Sequence, residues 1–244
     1  MGQNEIKSSQ DSNNKNQNQK NKKLILPTPF KPPKIKNYYL LCPECELNII
    51  PFEFQIVNIK YCRMCYEKDK KKHFEWYLNA AENPKDCSTI IENELYLGGM
   101  GFAKCKEILK EKNIKNILCV GYMLFDLYPD DFNYKIIEIE DDENEYILPY
   151  LYPALLFMSS NKTFVHCQMG ISRSSSFVIA YIMMKYRMKY KEAFEYVKKK
   201  REFIFPNDGF VEQLEQFQEI LEVCDYKIKF LREIHRGLFF GNDF

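Results

Sequence analysis

Residues 163–187 read TFVHCQMGISRSSSFVIAYIMMKYR, and this stretch decides the fold. Residues 163–167 predict a short strand, while residues 172–187 have the apolar spacing of a long helix. Because that helix is apolar on nearly every side, we expect it to be buried. A loop joins the two elements, with Cys167 at the end of the strand and Arg173 where the helix begins.

Signals of strand and helix alternate on both sides of this stretch, from about residue 87 onward. The predicted strands cover residues 94–97, 117–120 and 134–139. The predicted helices cover residues 102–113, 145–158 and 190–201, and a last one follows Asn207, Asp208 and Gly209. Alternation of this kind favours an α/β fold in which helices flank a central, mostly parallel sheet.

The loop between strand and helix has the composition of an anion site. Its backbone N–H groups, from Gln168 to Arg173, can point into one cradle, and the helix N-terminus adds positive potential. Gly170 lets the loop curl without a Cβ clash, and Arg173 can bind a phosphate through two parallel hydrogen bonds. The same field favours Cys167 as a thiolate, which is a strong nucleophile. The stretch therefore predicts a phosphate site with a nucleophile at its base.

The cysteine and the arginine, separated by five residues, resemble the signature of the protein tyrosine phosphatases. The fuller stretch HCQMGISRSSSFVIAYIMM (166–184) resembles the dual-specificity phosphatases, and the resemblance extends from Cys87 to Val223. It includes ELYLGG at 94–99, NILCV at 116–120 and PNDGF at 206–210. The resemblance implies the cysteine-phosphatase fold, phosphoprotein substrates and a reaction that uses neither metal nor cofactor.

The resemblance also implies a role for each residue of the loop. Cys167 attacks phosphorus and becomes a phosphocysteine, and the hydroxyl of Ser174 assists the breakdown of that intermediate. His166 orients the loop through hydrogen bonds. The phosphoryl oxygens are held by the loop, that is by Arg173 and the amides of Gln168, Met169, Gly170, Ile171 and Ser172.

A general acid must protonate the departing oxygen, since a serine, threonine or tyrosine oxygen is otherwise a poor leaving group. The acidic run at residues 140–143 is the obvious source. In the family that the chain resembles, the acid lies six residues before an apolar position that opens the next helix. Taking Leu148 as that position selects Asp142, and Asp141 is the alternative.

The uncharged side chains of the loop bear on the choice of substrate. Gln168, Met169, Ile171 and Ser172 offer no positive charge to further phosphates, whereas family members that act on inositol phosphates or RNA triphosphates usually carry basic residues there. Proteins phosphorylated on tyrosine, serine or threonine are therefore the expected substrates. A non-catalytic phosphoprotein binder and an adaptor that works through its N-terminal module are the alternatives.

Two cysteine pairs lie in the first third of the chain, Cys42 with Cys45 and Cys62 with Cys65. Sixteen residues separate the pairs, which is the spacing of a structural zinc site with four thiolate ligands. We expect a small zinc-ribbon-like module at residues 38–82 that needs the metal because it holds too little core to fold alone. Docking of a protein partner is a further expectation for this module. Two disulfides, free thiols or iron are the alternatives for these cysteines.

The remaining features set limits on the class of protein. Residues 1–37 are expected to form a disordered tail with a proline-rich linker, residues 87–232 the catalytic domain and residues 233–244 a C-terminal tail. The net charge of +1 argues against a nucleic-acid partner attracted by bulk charge, and no apolar run approaches the roughly 20 residues of a membrane span. The charged run at residues 198–201 is interpreted as a solvated face. Nine cysteines, one of them required as a free thiol, favour a reducing compartment, the cytoplasm or the nucleus.

Overall fold

The structure is a computed structural model, and it describes residues 85–239. The predicted N-terminal tail and the predicted zinc module, with Cys42, Cys45, Cys62 and Cys65, lie outside the described residues. Within residues 85–239, no three His, Cys, Asp or Glu side chains are grouped as a metal site would require. In the same range, no helix is both long enough and apolar enough to cross a membrane.

Five strands form one sheet in the described part of the chain. They are β1 (Cys87–Ile91), β2 (Leu95–Gly98), β3 (Asn116–Val120), β4 (Asn133–Ile137) and β5 (Thr163–His166). Their order across the sheet is β1-β2-β5-β3-β4, and neighbours are parallel except for β1, which is antiparallel to β2. The predicted α/β fold with a mostly parallel sheet is thus confirmed, while β1 is an edge strand that the sequence pattern did not reveal.

Seven helices accompany the sheet in residues 85–239. They are α1 (Met100–Ala103), α2 (Lys106–Glu111), α3 (Leu148–Ser160), α4 (Arg173–Tyr186), α5 (Tyr190–Lys198), α6 (Asp208–Val223) and α7 (Ile228–Phe239). The single helix predicted at residues 102–113 is in fact α1 and α2, because the backbone departs from helical angles at Cys105.

Helix α7 runs past residue 232, where the catalytic domain was predicted to end. It continues to Phe239, and its Leu231 and Ile234 are buried. Nε2 of His235 donates to the carbonyl of Pro149 in α3 over 2.7 Å. Residues beyond 232 therefore belong to the packed unit, because an apolar face of α7 is buried against it.

Strand β5 lies at the centre of the sheet, between β2 and β3. The side chains of Leu97, Leu118 and Val165 on these three strands are fully buried, as expected for parallel strands that are covered on both faces. Helix α4, which follows β5, is buried along Phe177 and its apolar neighbours. Cys167 comes directly after β5, so it stands at the carboxyl end of the central strand, where α/β sheets bind their ligands.

Candidate active site

The sulfur of Cys167 faces the loop that connects β5 to α4. It accepts a hydrogen bond from the backbone N–H of Gly170 over 3.1 Å and from the hydroxyl of Ser174 over 3.2 Å. Cys167 is 2% exposed and Ser174 is fully buried. Two donors, one from the loop and one from α4, therefore converge on the sulfur of the predicted nucleophile.

Arg201 holds the loop from its outer side. Its Nε donates to the carbonyl of Gly170 over 2.8 Å, and its Nη2 donates to the carbonyl of Met169 over 3.0 Å. In a trans peptide the N–H points away from the preceding carbonyl. Since these two carbonyls point toward Arg201, the N–H groups of Gly170 and Ile171 point to the opposite side. The guanidinium of Arg201 thus sets the direction of the amides in the cradle.

A carboxylate fixes Arg201 in turn. Asp86 accepts from Nη1 over 2.6 Å and from Nη2 over 2.9 Å, and the Arg201 side chain is only 1% exposed. The interpretation of residues 198–201 as a solvated face is therefore wrong for Arg201, because the loop carbonyls and Asp86 satisfy its buried donors.

Gly170 has the one positive φ between Cys167 and Arg173. Its φ is +69°, and a Cβ at this position would lie 2.5 Å from the carbonyl oxygen of Gly98 and 2.5 Å from Nη2 of Arg201. The positive φ disfavours a side chain, and the close contacts exclude one. The prediction that Gly170 allows the loop to curl is confirmed.

Arg173 is the first residue of α4, and its guanidinium lies beside the loop. Its buried Nε has no hydrogen-bond partner among the described residues, and its nearest ion-pair partner is Oδ2 of Asp141 at 3.8 Å. A Cβ at Gly121 would lie 2.7 Å from Nη1 of Arg173, so the glycine makes room for the guanidinium. A buried guanidinium donor without a close protein acceptor is suited to an oxyanion.

Asp141 is the acidic residue that reaches this site. Its Oδ1 accepts from the hydroxyl of Ser172 over 2.5 Å and from Nδ2 of Asn207 over 2.9 Å. Asp142 instead accepts from the backbone N–H and the side-chain amide of Asn144, over 2.7 and 3.0 Å, in an exposed turn. The geometry therefore favours Asp141 over the predicted Asp142 as the proton donor.

Helix α3 does open at Leu148, the residue taken from the sequence, but the buried residue before it gives a different count. Ile147 is fully buried and immediately precedes α3. Oε1 of Gln213 accepts from its N–H over 2.7 Å and from the N–H of Leu148 over 3.3 Å. Counting six residues back from Ile147 gives Asp141, whereas counting from Leu148 gives Asp142. Both residues are apolar, so the sequence pattern alone did not show which of them fixes the register.

Two residues of α6 hold the acid loop, residues 138–147, against the phosphate loop. Nε2 of Gln213 donates to the carbonyl of Glu145 over 2.8 Å. Gly209 packs so closely on the carbonyl of Glu143 that a Cβ there would collide with it. The motif at 206–210 pointed to this helix start, but no sequence signal pointed to Gln213, Asp86 or Arg201 as supports of the site.

His166 is buried next to the nucleophile and is uncharged. Its Nδ1 lies 3.2 Å from the carbonyl of Cys167, and its Nε2 lies 3.1 Å from Sγ of Cys119. A carbonyl only accepts, so Nδ1 carries the proton and Nε2 accepts from the Cys119 thiol. Burial lowers the pKa of His166 to about 4 and raises the pKa of Cys119. The geometry thus suits a residue that orients Cys167 rather than a base.

Comparisons with known proteins agree with this geometry. A family model described as the dual specificity phosphatase catalytic domain matches residues 95–220. Dual specificity protein phosphatase 1B of Arabidopsis thaliana is 38% identical over 146 residues, which cover 58% of this chain and 87% of that protein. Dual specificity protein phosphatase 1 of the same plant is 36% identical over 147 residues, 58% of this chain and 74% of that protein. The crystal structure of human tyrosine phosphatase-like serine/threonine/tyrosine-interacting protein is similar with a TM-score of 0.53 at 34% identity, covering 56% of this chain and 97% of that one.

Proposed function

The chain belongs to the dual specificity phosphatase family and is a protein phosphatase, and we propose that it works through a phosphocysteine intermediate on Cys167. The observation that carries the proposal is the position of the Cys167 sulfur, which accepts from the amide of Gly170. Arg173 follows at the end of the same loop, and its buried Nε has no hydrogen-bond partner among the described residues. Substrates are proteins phosphorylated on tyrosine, serine or threonine.

In the first step the Cys167 thiolate attacks phosphorus. A bond between sulfur and phosphorus forms while the ester bond to the serine, threonine or tyrosine oxygen breaks. Asp141 gives its proton to that oxygen, so the alcohol or phenol leaves neutral. The loop amides and Arg173 hold the three remaining oxygens as charge shifts in the transition state.

In the second step water replaces sulfur on phosphorus. The Asp141 carboxylate takes a proton from the attacking water, and the bond between sulfur and phosphorus breaks to return the thiolate. Ser174 donates a hydrogen bond to that sulfur over 3.2 Å, which stabilises the thiolate as it departs. Inorganic phosphate then leaves the loop.

The experiment compares turnover of a small aryl phosphate by the full chain and by two variants. Cys167→Ser and Arg173→Ala are each expected to lose at least about 10⁴-fold in kcat, as removal of a central catalytic group does in other enzymes. Cys224→Ser is the matched control, because Cys224 is a buried cysteine at the end of α6. Near-normal turnover by either variant would contradict the mechanism, and no turnover by the unmodified chain would support a non-catalytic binder.

We also propose that Cys42, Cys45, Cys62 and Cys65 bind a structural zinc ion. The support is their spacing in the sequence. Metal analysis of the full chain should find about one zinc per molecule, lost in Cys42→Ser but kept in Cys105→Ser. A metal-free full chain would contradict this proposal.

A further inference from the structure

Three large apolar side chains are exposed next to the phosphate loop. Met169 is 53% exposed, Phe203 is 54% exposed and Phe205 is 71% exposed. Exposed apolar side chains that occur singly are ordinary on protein surfaces, whereas several beside a binding site indicate an interaction surface. We name these three residues the apolar rim.

Backbone hydrogen bonds tie the rim to the site. The N–H of Phe205 donates to the carbonyl of Ile171 over 2.9 Å, and the N–H of Asn207 donates to the hydroxyl of Ser172 over 3.1 Å. The segment that carries both phenylalanines therefore runs alongside the phosphate loop, which itself carries Met169. The rim therefore borders the phosphate loop.

Phe203 is held in place by the same arginine that supports the loop. The guanidinium of Arg201 lies 4.2 Å from the centre of the Phe203 ring, and it also binds the carbonyl of Met169. A ring fixed by a cation–π contact loses little further freedom when a ligand covers it. Phe203 is thus an apolar part of the rim whose ring already has a fixed partner.

We propose that the apolar rim binds bulky apolar side chains next to the phosphorylated residue of the substrate. The inference rests on the proposed function, because it places the phosphorylated residue over Cys167. The position of the rim beside the phosphate loop selects the substrate chain as the occupant, since the residues flanking the phosphorylated one must cross this surface. Burial of apolar surface on both partners then favours leucine or phenylalanine over serine in the flanking positions.

The experiment uses two phosphotyrosine peptides that differ only in their flanking residues, phenylalanine and leucine in one and serine in the other. We expect the full chain to favour the apolar peptide about tenfold in kcat/KM, a usual effect of one apolar contact. The preference should fall toward one in Phe203→Ser and in Phe205→Ser. It should persist in Phe230→Ser, whose side chain is 47% exposed on α7.

Three outcomes would overturn the inference. The first is an equal kcat/KM for the two peptides in the unmodified chain, and the second is an unchanged preference in Phe205→Ser. The third is a dimer, detected by sedimentation, that the substitution Phe205→Ser dissociates, because a second copy of the chain would then be the occupant of the rim. Turnover of a small aryl phosphate, measured in parallel, separates this inference from the proposed function. If the unmodified chain does not turn over the aryl phosphate, the proposed function fails rather than the rim.

Discussion

The phosphate loop and the acid loop meet at one site but are held in different ways. Cys167 and Ser174 are buried residues of a single continuous stretch of strand, loop and helix. Asp141 comes from a separate segment, its side chain is 39% exposed, and it reaches the site through Ser172 and Asn207. The cradle is thus part of the core, whereas the proton donor depends on the register of a surface loop.

The largest effect that tests this comparison comes from the two neighbouring aspartates. Asp141→Asn should lower kcat on a phosphopeptide by about 10²–10³-fold, because the leaving oxygen then departs without a proton. Asp142→Asn is the matched control and should stay within about threefold, since Asp142 caps an exposed turn with Asn144. With an aryl phosphate whose phenol is acidic, the loss in Asp141→Asn should be much smaller.

Steady-state kinetics on both substrates measures kcat for the two aspartate variants. A larger loss in Asp142→Asn than in Asp141→Asn would assign the acid to Asp142 and would place Leu148 rather than Ile147 as the residue that sets the register.

The next effect concerns the outer support of the phosphate loop. Arg201→Met should lower the free energy of unfolding by about 3 kcal/mol, because it leaves Asp86 and two loop carbonyls without their partner. Arg187→Met removes an arginine that also pairs with an aspartate, Asp225, but the two side chains are 58% and 54% exposed. The control variant Arg187→Met should change the free energy of unfolding by less than about 1 kcal/mol.

Urea unfolding measures the change in the free energy of unfolding for both variants. Equal, small changes in the two proteins would mean that the buried contacts of Arg201 do not stabilise the loop.

The smallest effect concerns the contact that holds the acid loop. Gly209→Ala adds a Cβ that collides with the carbonyl of Glu143 and should push the acid loop away from the leaving oxygen. We expect about a tenfold loss of kcat on a phosphopeptide, since small displacements of catalytic groups are costly, and less loss on an aryl phosphate with an acidic phenol. Gly237→Ala, at an exposed position of α7, should leave both rates unchanged. Equal rates in all three proteins would show that α6 does not position the acid.

The contrast between the phosphate loop and the acid loop also explains what could be predicted from the sequence. The strand, loop and helix around Cys167 are contiguous, so the pattern located Gly170 and Arg173 in the positions that the structure gives them. The register of the acid loop could not be fixed, because Ile147 and Leu148 are equally apolar and both donate to Oε1 of Gln213. Only the contacts of Asp141 with Ser172 and Asn207 distinguish the two aspartates. Arg201 was missed for a similar reason. It ends a run of lysines that is typical of a solvated surface, and only its long-range partner Asp86 shows that it is buried.

The most direct test of the account is to trap the covalent intermediate. The variant Ser174→Ala should break the intermediate down slowly, because the departing sulfur loses the hydrogen bond from the hydroxyl. After rapid acid quenching with a phosphotyrosine peptide, fragmentation mass spectrometry should locate one phosphoryl group on Cys167. A phosphoryl group on another residue, or none on the protein while the peptide is being dephosphorylated, would contradict the account.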